Sequence, residues 1–147
     1  MQKSYNRAMK KKVALVIDNE HFIKQSIPEW EEKFELRIFN PPRSPPEIKT
    51  PLDLIRVLRN KIAIRTQLPK LAKWADIIFC EWATHYLKWL SNKNYGNILA
   101  CRMHRFELDR HYHEIKWNNV DSVLFISEAM KRKFHEKGDY SGKTYVT

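Results

Sequence analysis

The stretch Ala75-Asp76-Ile77-Ile78-Phe79-Cys80-Glu81-Trp82 contains a short apolar run, residues 77–80, between the acidic residues Asp76 and Glu81. An unbroken apolar run of this length is typical of a parallel strand covered on both faces. The same kind of run recurs at residues 13–17, 36–39, 98–101 and 123–126. Because crossover segments separate these runs, we predict a Rossmann-like, doubly wound α/β fold with a mainly parallel sheet and helices on both faces.

The segments between the strands predict the crossover helices. The apolar spacing of Phe22, Ile23, Ile27, Trp30 and Phe34 indicates a crossover helix that Pro28 either interrupts or starts. The proline-rich residues 40–46 predict a loop. A helix after Pro51 has an apolar stripe, and we place a second helix at 68–74 because Pro69 suits a first turn. We predict further helices around 86–90, 111–117 and 127–138, and a final strand at 143–147.

The composition describes one globular domain with a strongly basic character. The 147 residues carry 27 Lys and Arg against 17 Asp and Glu, a net charge of +10. We assign residues 1–12 to a basic N-terminal extension and residues 13–147 to the α/β domain. The sequence has no apolar run near the ~18 residues that span a bilayer, and we expect a cytoplasmic protein with reduced, partly buried Cys80 and Cys101.

Candidate site residues follow the strands, since ligands of open parallel sheets bind beyond the carboxyl ends of the strands. The segment Arg102-Met103-His104-Arg105-Phe106-Glu107 is the most informative, because it combines a permanent cation, an imidazole and a carboxylate. An ordinary surface ion network is the alternative interpretation. The full candidate set is Asp18, Asn19, Glu20, Glu81, Trp82, Arg102, His104, Glu107, Ser127 and Glu128.

Three segments in order resemble the amino-terminal domain of family-four glycosyltransferases, which have the GT-B fold. They are residues 75–82, the run Ile98-Leu99-Ala100-Cys101-Arg102-Met103-His104 with Glu107, and residues 120–130 with Ser127-Glu128. The tail Lys143-Thr144-Tyr145-Val146-Thr147 resembles the strand that leads into the second domain of that family. The start departs from the family, because Asp18-Asn19-Glu20-His21 stands where many relatives have a glycine-rich loop.

The resemblance implies an acceptor-side half of a retaining glycosyltransferase, inactive alone. It places His104 near the transferred sugar as the candidate catalytic residue, with the other candidates lining the acceptor side of the cleft. Arg102 would hold a phosphate or position its loop through Glu107. The implied partners are a nucleotide-sugar donor, bound by a C-terminal domain absent from this chain, and a glycan or lipid-linked acceptor. No metal or other cofactor is implied.

Alternatives from other functional classes remain open. The charge and the aromatic residues also suit a basic module that binds nucleic acid or another polyanion, although no signature of a nucleic-acid-binding fold is present. A self-contained nucleotide-binding or response-regulator-like domain would use a similar sheet but lacks the expected glycines. The helix with Leu52, Ile55, Leu58 and Ile62 either packs its stripe on the sheet or lies peripherally on the anionic inner face of the membrane.

Overall fold

A computed structural model describes residues 9–19, 21, 23–41 and 43–147, and these form one six-stranded sheet. Its strand order is β2-β1-β3-β4-β5-β6, and every neighbouring pair is parallel. The predicted α/β, Rossmann-like fold is therefore confirmed. The strands are β1 Lys12–Val16, β2 Glu35–Phe39, β3 Ile77–Cys80, β4 Ile98–Met103, β5 Ser122–Phe125 and β6 Lys143–Val146.

In the part of the chain that the structure describes, five α-helices connect the strands, and their ends follow local sequence signals. Thr50 caps α2 through its side chain, which accepts from the Asp53 backbone N–H, and Pro51 occupies the first turn. Ser127 caps α5 in the same way through the Met130 backbone N–H. The helices are α1 Ile27–Lys33, α2 Pro51–Trp74, α3 His85–Lys93, α4 Arg105–Arg110 and α5 Glu128–Lys137.

The structure differs from the helix predictions at three places. Residues 51–74 form one helix of 24 residues rather than two, because burial of Leu68 and Ala72 on either side of Pro69 holds the helix together. The polar run after His104 forms α4, which has too little apolar periodicity to be predicted from sequence. The helix predicted at 111–117 is replaced by two single 3-10 turns, Tyr112–Glu114 and Trp117–Asn119.

The predicted N-terminal extension falls mostly outside the described residues. Residues 1–8 are not described, whereas residues 9–11 are exposed. Lys12 already belongs to β1, because its backbone continues the parallel pairing with Glu35. The sheet domain therefore begins one residue earlier than the sequence predicts.

The core lies on both faces of the sheet, but unequally. One face packs Leu15, Ile17 and Phe79 beneath α1, with Trp30 edge-on to Phe79 at 5.2 Å between ring centres. The other face is larger and is covered by α2, α3 and α5. Cys80 and Cys101 lie within it as free thiols and are fully rather than partly buried, and burial raises the pKa of both.

α2 packs on the sheet through a face that the sequence does not indicate. The apolar stripe Leu52, Ile55, Leu58 and Ile62 is about half exposed, whereas the buried positions are Asn60, Ala63, Leu68 and Ala72. Burial of Asn60 is compensated because its side-chain amide donates to the Tyr86 hydroxyl at 2.8 Å. The expectation that the stripe packs on the sheet is therefore wrong.

The strand order places a topological switch point between β1 and β3. From β1 the chain crosses to β2 on one side, and it then returns to β3 on the other side of β1. The two crossovers diverge at the carboxyl ends of β1 and β3, where open sheets of this type bind ligands. Within the described ranges, no helix combines the length and the apolar character needed to cross a bilayer.

Candidate functional site

Glu81 and Arg102 form an ion pair beside the switch point. The register pairs Cys80 of β3 with Cys101 of β4, so the next residues of the two strands are neighbours on the same face. Arg102 donates through Nη1 to Glu81 Oε1 at 2.8 Å. The Glu81 side chain is completely buried and that of Arg102 is 22% exposed. The sheet therefore fixes a buried carboxylate against a partly accessible guanidinium.

His104 lies between the Trp82 ring and this ion pair. The imidazole and indole rings stack with 3.8 Å between their centres and 20° between their planes. His104 Nε2 is 3.8 Å from Glu81 Oε1. Only 11% of the His104 side chain is exposed, so the indole and the carboxylate hold the imidazole in one orientation. Trp82, which the sequence places past the end of a strand, is thus part of the site.

Glu107 caps the start of α4 and does not pair with Arg102. Its Oε2 accepts from the His104 backbone N–H at 2.5 Å, as an acidic residue in the first turn of a helix does. The expected contact between Arg102 and Glu107 is wrong, because the guanidinium is committed to Glu81 across the strand pair. Burial raises the pKa of Glu107 to about 7, against the opposing effect of the His104 N–H.

Several buried polar atoms of Glu81, Thr84, Arg102 and Glu107 have no hydrogen-bond partner among the described residues. They are Glu81 Oε2, Thr84 Oγ1, Arg102 Nε and Glu107 Oε1. Buried polar groups are nearly always paired in folded proteins, so these atoms are where a bound water or a polar ligand is expected. Two of the atoms accept, one donates, and the hydroxyl does both. We refer to Glu81, Trp82, Thr84, Arg102, His104 and Glu107 as the switch-point cluster.

The loop after β1 borders a separate pocket of about 400 Å³. Asp18 lines it with Arg43, whose Nε donates to the Asp18 backbone carbonyl at 2.9 Å. Asn19 is occupied locally, because its side-chain oxygen accepts from the His21 backbone N–H at 3.2 Å. The prediction for Glu20 lies outside the described residues. Asp18 is electrostatically close to the cluster, since after burial its charge further raises the pKa of Glu107.

Ser127 and Glu128 lie apart from the switch-point cluster, at the start of α5. The Ser127 hydroxyl accepts from the Met130 N–H at 3.3 Å, which is a structural role, and the Glu128 side chain is exposed. Ser127 lines a pocket of about 670 Å³ between α4 and α5, together with Arg105 and Met130. In the described part of the chain, no contact joins either residue to Glu81 or His104. These two predicted site residues are therefore not brought to the cluster.

Sequence reasoning missed the residues that complete the pocket at Asp18. Arg43 belongs to the proline-rich loop, Arg56 belongs to α2, and His85 and Tyr86 belong to the first turn of α3. A cation embedded among prolines, which cannot form regular structure there, was the available signal for Arg43. The described residues contain no group of three or more His, Cys, Asp or Glu placed to hold a metal ion.

In comparisons with known proteins, no family model, no curated protein and no solved structure matches the chain. The geometry of the switch-point cluster and the motifs of residues 75–82, 98–107 and 120–130 are the remaining indications of function.

Proposed function

We propose that this chain is the acceptor-side domain of a GT-B-fold glycosyltransferase and that the switch-point cluster binds sugar hydroxyls. The observation that carries the proposal is the Glu81–Arg102 pair with His104 stacked on Trp82 at the strand ends. Four buried polar atoms beside this arrangement have no partner among the described residues, namely Glu81 Oε2, Thr84 Oγ1, Arg102 Nε and Glu107 Oε1. A sugar hydroxyl both donates and accepts, so it can satisfy carboxylate oxygens and a guanidinium N–H together. An anion would satisfy only the donor, and a cation only the acceptors.

The aromatic member of the cluster supports the same ligand class. Trp82 is half-buried and stacks on His104, so its ring is held rigid beyond the carboxyl end of β3. Large aromatic rings give apolar contact area at low entropic cost, which suits the C–H faces of a sugar ring. The cluster combines this surface with polar atoms that fix orientation, as small-ligand sites generally do.

The proposed reaction moves a sugar from a nucleotide-sugar donor to a hydroxyl of a glycan or lipid-linked acceptor in the cytoplasm. The donor would be held by a second α/β domain, as the sequence resemblance implies. In this arrangement His104 contacts the transferred sugar, and its orientation is set by Trp82 and Glu81 at the distances above. Arg102 holds Glu81 in place and offers its Nε to the ligand. The chain alone would bind but not transfer.

Ligand-observed NMR tests this proposal on the chain alone. The probes are the methyl glycosides of glucose, galactose, mannose and N-acetylglucosamine, with UDP and a single-stranded oligonucleotide as competing classes. We expect saturation transfer to at least one glycoside, and loss of the signal in His104→Ala. His135→Ala is the matched control, because His135 is an exposed imidazole on α5.

Two outcomes would contradict the proposal. Glycoside signals that are absent, or equally strong in His104→Ala, would remove the cluster as a sugar site. Salt-dependent binding of the oligonucleotide, with no glycoside signal, would favour the polyanion-binding alternative that the net charge of +10 suggests.

A further inference from the structure

The outward side of α2 carries an unusual amount of exposed apolar surface. Large apolar side chains at Leu54, Ile55, Leu58 and Ile62 are between 48% and 58% exposed. Leu54, Leu58 and Ile62 are four residues apart, so they form one row along the helix, and Ile55 lies beside it. We call these four residues the outer face of α2. It points away from the buried positions Ala63, Leu68 and Ala72, so the sheet does not cover it.

Cations border this outer face. Arg59, Lys61 and Arg65 are all exposed and lie within one helical turn of Leu58 or Ile62. The only carboxylate of α2 is Asp53, which is engaged at the helix start by Thr50 and lies 3.9 Å from Arg56. Within α2, the outer face therefore presents an apolar row with positive charge along it, and the one carboxylate of the helix lies at its start.

We propose that the outer face of α2 docks this protein on an anionic lipid membrane. A helix with this pattern lies in the plane of the membrane interface, with its apolar side chains among the acyl chains and its cations at the headgroups. Leu54 to Ile62 spans about 12 Å of helix, from the 1.5 Å rise per residue. An apolar row that short gives marginal binding without the added attraction of Arg59, Lys61 and Arg65 to anionic headgroups.

Exposed apolar side chains are also found near the outer face of α2, outside the helix. Ile62 and Arg59 also line a groove of about 530 Å³ between α2 and the edge strand β2, with Ile38 on its far side. Ile38 is 44% exposed, and Ile48, just before α2, is 57% exposed. Exposed apolar side chains are thus present outside the helix as well, and Arg59 lines the groove next to Ile62. This inference does not depend on the proposed glycosyltransferase function.

Vesicle sedimentation tests the docking surface on the 147-residue chain. The probes are vesicles of phosphatidylcholine alone and vesicles of phosphatidylcholine with phosphatidylglycerol. We expect binding only to the anionic vesicles. The charge variant Arg59→Gln/Lys61→Gln/Arg65→Gln should bind about a hundred-fold more weakly, since each cation near such a surface contributes about a five-fold effect. The apolar variant Leu54→Ser/Leu58→Ser/Ile62→Ser should lose at least about ten-fold.

A matched control separates this surface from general attraction of a basic protein. Lys131→Gln/Arg132→Gln/Lys133→Gln removes the same charge from α5, whose strand β5 is separated from β2 by three strands of the sheet. Because membrane electrostatics fall off within a Debye length, this control should bind within about two-fold of the parent chain. Unfolding midpoints in urea should agree among all variants, since every altered side chain on α2 is exposed.

Three results would overturn the proposal. The first is no binding to anionic vesicles. The second is equal loss of binding in the α5 control and the α2 charge variant, with no loss in the apolar variant. The third is a self-associated parent chain that the apolar variant converts to a monomer in sedimentation velocity, since a second copy would then cover the outer face.

Discussion

At the scale of single residues, Glu107 is the group whose protonation affects folding most directly. It is 4% exposed, and burial raises its pKa from an ordinary value of 4.5 to about 7. A carboxyl with a raised folded-state pKa stabilises the fold below its unfolded pKa, and this contribution is lost as the pH rises through the folded value. Stability should therefore fall from about pH 4.5 to about pH 7, because the folded state holds a proton there that the unfolded state has lost, and it should level off near pH 8.

Glu107→Gln should remove that dependence while keeping an oxygen for the His104 N–H. We expect the variant to be more stable than the parent at pH 8, by up to about 3 kcal/mol, and to show a flatter profile from pH 5 to pH 8. Urea unfolding at several pH values measures both. An unchanged pH profile would show that Glu107 is already ionised in the folded state at pH 5.

The Glu81–Arg102 pair predicts a second effect at this scale. Arg102→Leu leaves the fully buried Glu81 carboxylate without its cation, and we expect a loss of about 2 to 4 kcal/mol in unfolding free energy. Adding Glu81→Leu should recover at least half of that loss, because the uncompensated charge is then gone. Lys88→Leu breaks the exposed pair with Glu114 and should change little. Simple additivity of the two losses would disprove the coupling.

At the scale of elements, α2 contains a proline that the fold tolerates at a cost. Pro69 lies inside the helix, where it cannot donate to the Arg65 carbonyl and its ring crowds that carbonyl. Pro69→Ala should therefore raise the unfolding free energy, by about 1 to 3 kcal/mol. Lys70→Ala, at the next and exposed position, is the control and should have a much smaller effect. Destabilisation by Pro69→Ala would contradict this account of the proline.

Elements were predictable where local signals agree. The five apolar runs before the tail became β1 to β5 within two residues at each end, because strands buried on both faces need unbroken apolar sequence. α4 was missed because its short polar sequence has too little apolar periodicity, although Glu107 bonding back to the His104 N–H is a local helix-start contact. The face of α2 was misassigned because its buried positions include Asn60, whose partner Tyr86 is distant in sequence.

At the scale of the whole molecule, the strand order decides which candidate residues meet. Sequence placed Asp18, Glu81, Arg102 and Ser127 at strand ends but gave no order, because parallel neighbours are chosen by long-range packing. The order β2-β1-β3-β4-β5-β6 brings Glu81 next to Arg102 and puts Asp18 across the switch point. It also places Ser127 after β5, on the far side of β4 from Glu81. The candidate set from sequence therefore included Glu81, Trp82, Arg102, His104 and Glu107 but neither Thr84 nor the grouping of these residues.

The most direct test of the central claim is where a sugar binds on this sheet. Proton–nitrogen spectra of the ¹⁵N-labelled chain resolve the Trp82 indole N–H and the Arg102 Nε–H, assigned through Trp82→Phe and Arg102→Lys. On titration with the four methyl glycosides, the account predicts that these two signals shift together with the His104 ring, while the Trp89 indole on α3 stays unchanged. Shifts confined to other parts of the chain, or none at all, would contradict it.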